Sequence, residues 1–192
     1  MEKELQKILL RCFWRKALSL GSTRSGIRRT TPENPIANRS LQEMDLGKGA
    51  YVVNDPTYEN EWSTAISSVL GEHYEKVASH QLIGICLVVF ANKALVPAIS
   101  GVRKSHLPTG HFSLLGNKGA TAIRFKCYDS TICFLNVHLY HVADAATRRT
   151  GDLRRILREL VFDGADKIRA HDHVFLFGDL NYRVCLKLFI AN

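Results

Sequence analysis

A chain of 192 residues with 46% hydrophobic and 23% charged side chains carries the apolar mass of one globular domain, which excludes a wholly disordered polypeptide. Its longest apolar run, Leu82 to Ala91 with Gly84 inside it, is about half of the roughly 20 residues that a bilayer-spanning helix needs, which excludes a transmembrane helix. The formal net charge of +8 is concentrated at one end: residues 1–40 hold nine bases against three acids (Glu2, Glu4, Glu33), so the other 152 residues carry only +2 and the basicity says little about the body.

Leu5, Ile8, Leu9, Cys12, Phe13, Ala17 and Leu20 recur at helical spacing among Lys and Arg, which predicts an amphipathic basic helix over 3–20 that ends near Gly21. Such a helix suits an anionic membrane surface or a packed position on a domain, and the packed position is the expectation. Glu2 and Glu4 count against a presequence, and no secretory signal is expected, because the segment has no continuous apolar core. Residues 21–40, rich in Ser, Thr, Arg, Gly and Pro and without periodicity, read as a linker.

From Leu41 the texture changes. Trp62, Ala65, Ile66, Val69 and Leu70 form one face of a helix over 58–70. Ile83–Ala91 reads as a buried strand and Leu95–Val102 as a second one. The β-branched runs Thr121–Cys127 and Thr131–Val137, parted by Tyr128-Asp129-Ser130, predict a hairpin. Asp144 is placed to cap a helix whose apolar face is Leu153, Ile156, Leu157 and Leu160, and His173–Phe177 is a short strand. Helices mixed with strands and hairpins indicate a layered α/β or α+β domain. The five cysteines show no CxxC pair and no zinc-like spacing, and they read as buried free thiols in a reducing compartment.

Three polar clusters stand at ends of predicted strands. In Gly178-Asp179-Leu180-Asn181-Tyr182-Arg183, alternation puts Asp179 and Asn181 on one side, where a carboxylate accepts a proton from water and an amide donates to an anion. Taken alone, Asp-x-Asn after a strand is more often an Asx turn. Asn136 and His138 share a face at the end of the strand Thr131–Val137, and a lone His in such a place is usually structural. Gly116-Asn117-Lys118-Gly119 is a Gly-flanked turn that suits close approach to a phosphate, although it lacks the Walker pattern, and an exposed turn with an idle lysine is its default reading.

Taken together and in order, LQEMDL at 41–46, GNKGATAIRF at 116–125, FLNVHL at 134–139, the R-R-x-x-D at 148–152 and FLFGDLNYRV at 175–184 resemble the inositol polyphosphate 5-phosphatases, with the closest likeness to the type II branch. The resemblance covers 41–184; residues 1–40 fall outside it and 185–192 form a divergent tail. It implies the two-sheet sandwich of the DNase I-like superfamily, in an incomplete form, and Mg²⁺-dependent hydrolysis of the inositol 5-phosphate. Carried over residue by residue, it makes Glu43 a metal ligand. Asp179 becomes the group that orients and deprotonates water, Asn181 a holder of a phosphate oxygen, His138 a donor to the phosphate, and Asn136 a support for this cluster. Asn117, Lys118, Arg149 and Arg183 become candidates for binding phosphates or for supporting the groups that do. The implied partners are phosphoinositide lipids or soluble inositol phosphates, with cytoplasmic location and peripheral membrane contact; nucleic acid is not expected.

The sequence departs from the family at both ends. Residues 1–40 contain no counterpart of an upstream Trp-Asn pair, and the eleven residues after Asn181 contain neither the Trp-Cys-Asp-Arg segment nor the terminal Ser-Asp-His. Within the matched region Ser113 stands for a usual Gly, Val137 for a usual Ser and Thr150 for a usual Asn. The expectation is therefore a truncated 5-phosphatase domain of low activity. The alternatives are a non-catalytic module that binds phosphoinositides or a protein, or a nuclease of the same superfamily.

Overall fold

The computed structural model describes residues 35–42, 57–110, 117–143, 145–164 and 166–182, the side chains at 57 and 58 excepted. The predicted helix over 3–20, Asp144 (the predicted cap of the helix that carries Leu153, Ile156, Leu157 and Leu160) and the tail from 183 lie outside the described residues. The described elements are β1 (Ile36–Leu41), α1 (Thr57–Leu70), β2 (Tyr74–Leu82), β3 (Ile85–Asn92), β4 (Ile99–Pro108), β5 (Gly119–Cys127), β6 (Ser130–His138), α2 (Ala146–Glu159) and β7 (His173–Asp179). They form a three-stranded sheet in the order β1-β3-β2 and a four-stranded sheet in the order β4-β5-β6-β7.

β3 is apolar along its whole length because both of its faces are covered. Cys86, Val88 and Phe90 pack with Ile66 and Leu70 of α1, while Leu87 and Val89 meet Ile123, Phe125 and Phe134 of the other sheet. The far face of that second sheet, with Ala120, Ala122, Leu135 and Val137, packs with Ile156 of α2, Leu160 and Phe162. Helix, sheet, sheet and helix therefore stack as a two-sheet sandwich with a helix outside each face, the architecture that covers both sides of each sheet. Ring stacking of Phe134 on Phe175, with centroids 5.2 Å apart, carries the inter-sheet core across to β7.

Several expectations are corrected. The linker-like stretch 21–40 ends earlier than expected: 36–41 is a strand, antiparallel to β3, with Ile36 opposite Ala91 and Leu41 opposite Cys86. Its sequence, IANRSL, is too polar to announce itself, and pairing with β3 decides its conformation. β2 was not expected at all. Gly84 lies in the turn of a β2–β3 hairpin and not within one long strand, and β2 is a half-polar edge strand whose register shifts between Lys76 and Ala78. The strand expected from Leu95 begins at Ile99, because Pro97 lies in a 3-10 turn over Val96–Ala98. On α1 only Ile66 and Leu70 of the expected face pack inward; Trp62 and Val69 are 43% and 82% exposed. Cys86 and Cys133 are buried free thiols, and burial pushes both up to about 12. No described helix is long and apolar enough to cross a membrane.

The two sheets are also joined by an imidazole pair: His80 Nε2 on β2 lies 3.1 Å from His106 Nδ1 on β4. Burial, followed by the positive charge of His106 and Lys104, lowers His80 to about 4, against which Glu59 pulls upward. An unfolded chain protonates this His near its ordinary value of 6.5, so between pH 6.5 and 4 the unfolded state binds more protons. The contribution is complete above pH 6.5, declines as the pH falls and levels off below 4. Urea unfolding across that range is expected to show a loss of about 2 kcal/mol, after allowance for solvent screening of a ring that is not fully buried. His80→Gln is expected to flatten the slope; an equal slope in the variant would assign the effect to other groups.

Candidate active site

β6 and β7 run parallel, so their carboxyl ends lie together, which is where open sheets of this kind bind ligands. Their register sets Asn136 beside Phe177, Val137 beside Gly178 and His138 beside Asp179. On the other side of β6, His138 pairs with Gly119, the residue after Lys118. Alternation places Phe134 in the inter-sheet core, and Asn136 and His138 continue that same face to the strand end.

Asn136 is fully buried. Its Oδ1 accepts from Ser40 Oγ at 2.8 Å and from Gln42 Nε2 at 2.6 Å, and its Nδ2 donates to the carbonyl of Cys86 at 2.9 Å. One amide thus ties the ends of β1 and β3 to β6. Its donors and acceptors are turned to the protein, which makes it a support for the site and not a group facing a substrate.

His138 is equally buried, and Lys118 Nζ lies 2.5 Å from its Nε2. An ammonium only donates, so in this contact the imidazole nitrogen is the acceptor. The Asp179 carboxylate approaches from the solvent side, with Oδ2 3.8 Å from the same Nε2 and the side chain 47% exposed. Asp179 Oδ1 accepts the Asn181 backbone N–H at 2.9 Å, and Asn181 Nδ2 donates to the Leu139 carbonyl at 3.0 Å. Asn181 has φ of 52°, a left-handed conformation that Asn tolerates. The Asx turn expected of Asp-x-Asn is therefore present, and the carboxylate that closes it also reaches the imidazole.

The structure brings together Lys118, Asn136, His138, Asp179 and Asn181, with Asn117 in the turn that enters β5. Arg149 is 1% exposed, and its guanidinium is committed to the carbonyls of Tyr140, Val142 and Ala143. Glu43, the expected metal ligand, and Arg183 lie outside the described residues. Sequence reading missed Ser40, Gln42, Thr150 and Tyr182. Gln42 and Tyr182 stand inside the motifs LQEMDL and GDLNYR, and membership of those motifs was the available signal.

An ammonium, an imidazole and a carboxylate at one strand end are groups whose chemistry can attract an anion and accept a proton from water. Among the described residues no three carboxylate, His or Cys groups converge on a common metal position. Asp179 supplies one exposed carboxylate, a hard oxygen donor of the kind Mg²⁺ prefers, and Glu43 follows Gln42 directly in the chain. The donor chemistry fits a hard divalent cation.

The sequence pattern of "Endonuclease/Exonuclease/phosphatase family 2" matches residues 5–188. A type II inositol 1,4,5-trisphosphate 5-phosphatase of Mus musculus is 36% identical over 152 residues, which is 75% of this chain and 15% of the relative. An inositol-1,4,5-trisphosphate 5-phosphatase of Schizosaccharomyces pombe is 36% identical over 166 residues, covering 81% of this chain and 15% of the relative. Among solved structures, the inositol polyphosphate 5-phosphatase domain of SPsynaptojanin, in complex with inositol (1,4)-bisphosphate and calcium ion, superposes with a TM-score of 0.72 at 34% identity. That match covers 81% of this chain and 46% of the other. The chain thus spans about a seventh of the curated relatives' length and just under half of the solved domain.

Proposed function

We propose, from the premise that the chain belongs to the endonuclease/exonuclease/phosphatase family 2, that its site is that of an inositol polyphosphate 5-phosphatase acting on a phosphate monoester with the help of Mg²⁺. The observation that carries the proposal is the pairing of His138 with Asp179 across two parallel strand ends, with Lys118 against the imidazole. Glu43 and the Asp179 carboxylate are the groups that would hold the ion, which when bound polarises the phosphate and offsets its charge.

The chain's own residues do the rest. Asp179 stands half in solvent and takes a proton from a water at its exposed oxygen. Lys118 transfers its N–H donation from the imidazole to the incoming phosphate. That leaves His138 turned to the same anion as a donor once it has gained a proton. Asn181 spends one amide N–H on Leu139 and offers the other to a phosphate oxygen. Soluble inositol phosphates and phosphoinositide headgroups share this chemistry, and the lipid arm would place the protein at the cytoplasmic surface of a membrane.

Release of inorganic phosphate from inositol 1,4,5-trisphosphate and from vesicles containing phosphatidylinositol 4,5-bisphosphate tests the reading. Release that requires Mg²⁺ and stops on its removal with EDTA is the expected result. Nicking of plasmid DNA without phosphate release would replace it with the nuclease reading. Binding to the vesicles without any turnover would replace it with a non-catalytic module.

A further inference from the structure

Arg149 is the largest fully buried side chain of the described structure, and among the described residues no carboxylate pairs with it. Burying an unpaired cation is costly unless hydrogen bonds compensate. Here they do so in one place only. Nη1 donates to the carbonyl of Val142 at 2.6 Å and to that of Tyr140 at 3.3 Å, and Nη2 donates to that of Ala143 at 3.1 Å. Nε is buried without a partner. The guanidinium thus clasps the segment that follows His138 and Leu139.

The same segment is fastened to β7. Leu139 N–H donates to the Asp179 carbonyl at 2.9 Å, and the Leu139 carbonyl receives Asn181 Nδ2. On the other side Tyr182, next to Asn181, lies with its ring 5.5 Å from the Arg149 guanidinium, and its hydroxyl is 2.9 Å from Thr150 Oγ1. Arg149 and Thr150 are neighbours in the first turns of α2, so one helix end grips both chemistry-bearing strand ends.

We infer that Arg149 is a positioning residue, which fixes Asn181 and Asp179 against His138 through the 139–143 segment, with Thr150–Tyr182 as its second fastening. It is not a phosphate ligand. This rests on the phosphatase reading for its catalytic consequence but not for its structural one. Arg fits the role because its planar fork reaches several carbonyls at once, whereas a Lys supplies one compact charge. Displacement of a reacting group by about 1 Å costs up to about 100-fold in rate.

The test compares wild type with Arg149→Lys and Tyr182→Phe in the full chain, by steady-state kinetics on inositol 1,4,5-trisphosphate and by NMR of the Asn181 side-chain amide. Arg149→Lys is expected to lower kcat about 10-fold to 100-fold with KM within about twofold. It is also expected to shift the Asn181 amide signals while the remote His171 ring signal stays in place. Should the buried variant fail to fold, Tyr182→Phe keeps the ring over the guanidinium, removes only the Thr150 bond, and is expected to give the same signature in smaller degree. A KM that rises with kcat preserved would overturn the inference and return Arg149 to substrate contact. Unmoved Asn181 signals in the folded variants would overturn it as well. If wild type releases no phosphate, the phosphatase reading fails alone, and the amide signals still decide the positioning role.

Discussion

Asp179→Asn is expected to lower the rate of phosphate release by about 10³-fold while changing the thermal midpoint by little. The substitution keeps the shape of the side chain and an oxygen to accept the Asn181 N–H, so the turn after β7 is retained. What it removes is the negative charge and the basic oxygen that stands 3.8 Å from His138. A positioned general base contributes about 10²- to 10⁴-fold, and loss of a metal-holding carboxylate adds to that. Nearly half of the side chain is exposed, so the stability cost stays near that of an ordinary surface change, within about 0.5 kcal/mol. KM is expected to change little, since Lys118 and Asn181 remain to attract the anion. A loss of less than about tenfold, measured on folded protein, would assign the proton transfer to another group.

The residues legible in the sequence are those fixed by local periodicity. β5 and β6 are β-branched runs on either side of a turn, and their register places His138 opposite Gly119, the neighbour of Lys118, with no help from distant chain. The alternation that puts Asn136 and His138 on one face, and the Gly178-Asp179 end of β7, follow from the period of two alone. The strand at 36–41 and the edge strand β2 are different. Both are half polar, and their conformation is imposed by β3, which offers hydrogen-bonding edges on both sides. Nothing local in IANRSL or YEKVASHQL specifies that.

The site divides in the same way. That Asp179 and His138 carry chemistry is visible from their motifs. That Asn136 is bound by Ser40 and Gln42, 96 and 94 residues away, is a tertiary fact without a local trace. Arg149 shows the limit most clearly. An Arg on a helix rich in Arg reads as solvent-facing or as a phosphate ligand, and only the path of the chain over 140–143 reveals what its guanidinium is needed for.

Gly178→Ala is expected to unfold the sheet end or shift it, with a loss of at least about 3 kcal/mol, equivalent to a fall in melting temperature of about 10 °C. Two effects add. Gly178 has φ of 121°, a conformation that costs an L side chain about 1–3 kcal/mol. A Cβ at that position would stand 2.1 Å from the Val137 carbonyl oxygen and 2.8 Å from both Val137 N and Asn136 Oδ1. All three belong to the neighbouring strand, and the Asn136 oxygen is already held by Ser40 and Gln42, so none of them yields without opening the β6–β7 pair. Val137 and Gly178 are the pair immediately before His138 and Asp179, and opening it separates the imidazole from the carboxylate. Gly151→Ala, in α2 where an added Cβ meets nothing within 4 Å, serves as the contrast and is expected to be neutral or to stabilise by up to about 1 kcal/mol. Thermal unfolding followed by circular dichroism reads both. A Gly178→Ala protein that melts within 2 °C of wild type (~0.5 kcal/mol) and keeps its activity would show that this strand pair is compliant, and that the register of His138 with Asp179 is not what the glycine protects.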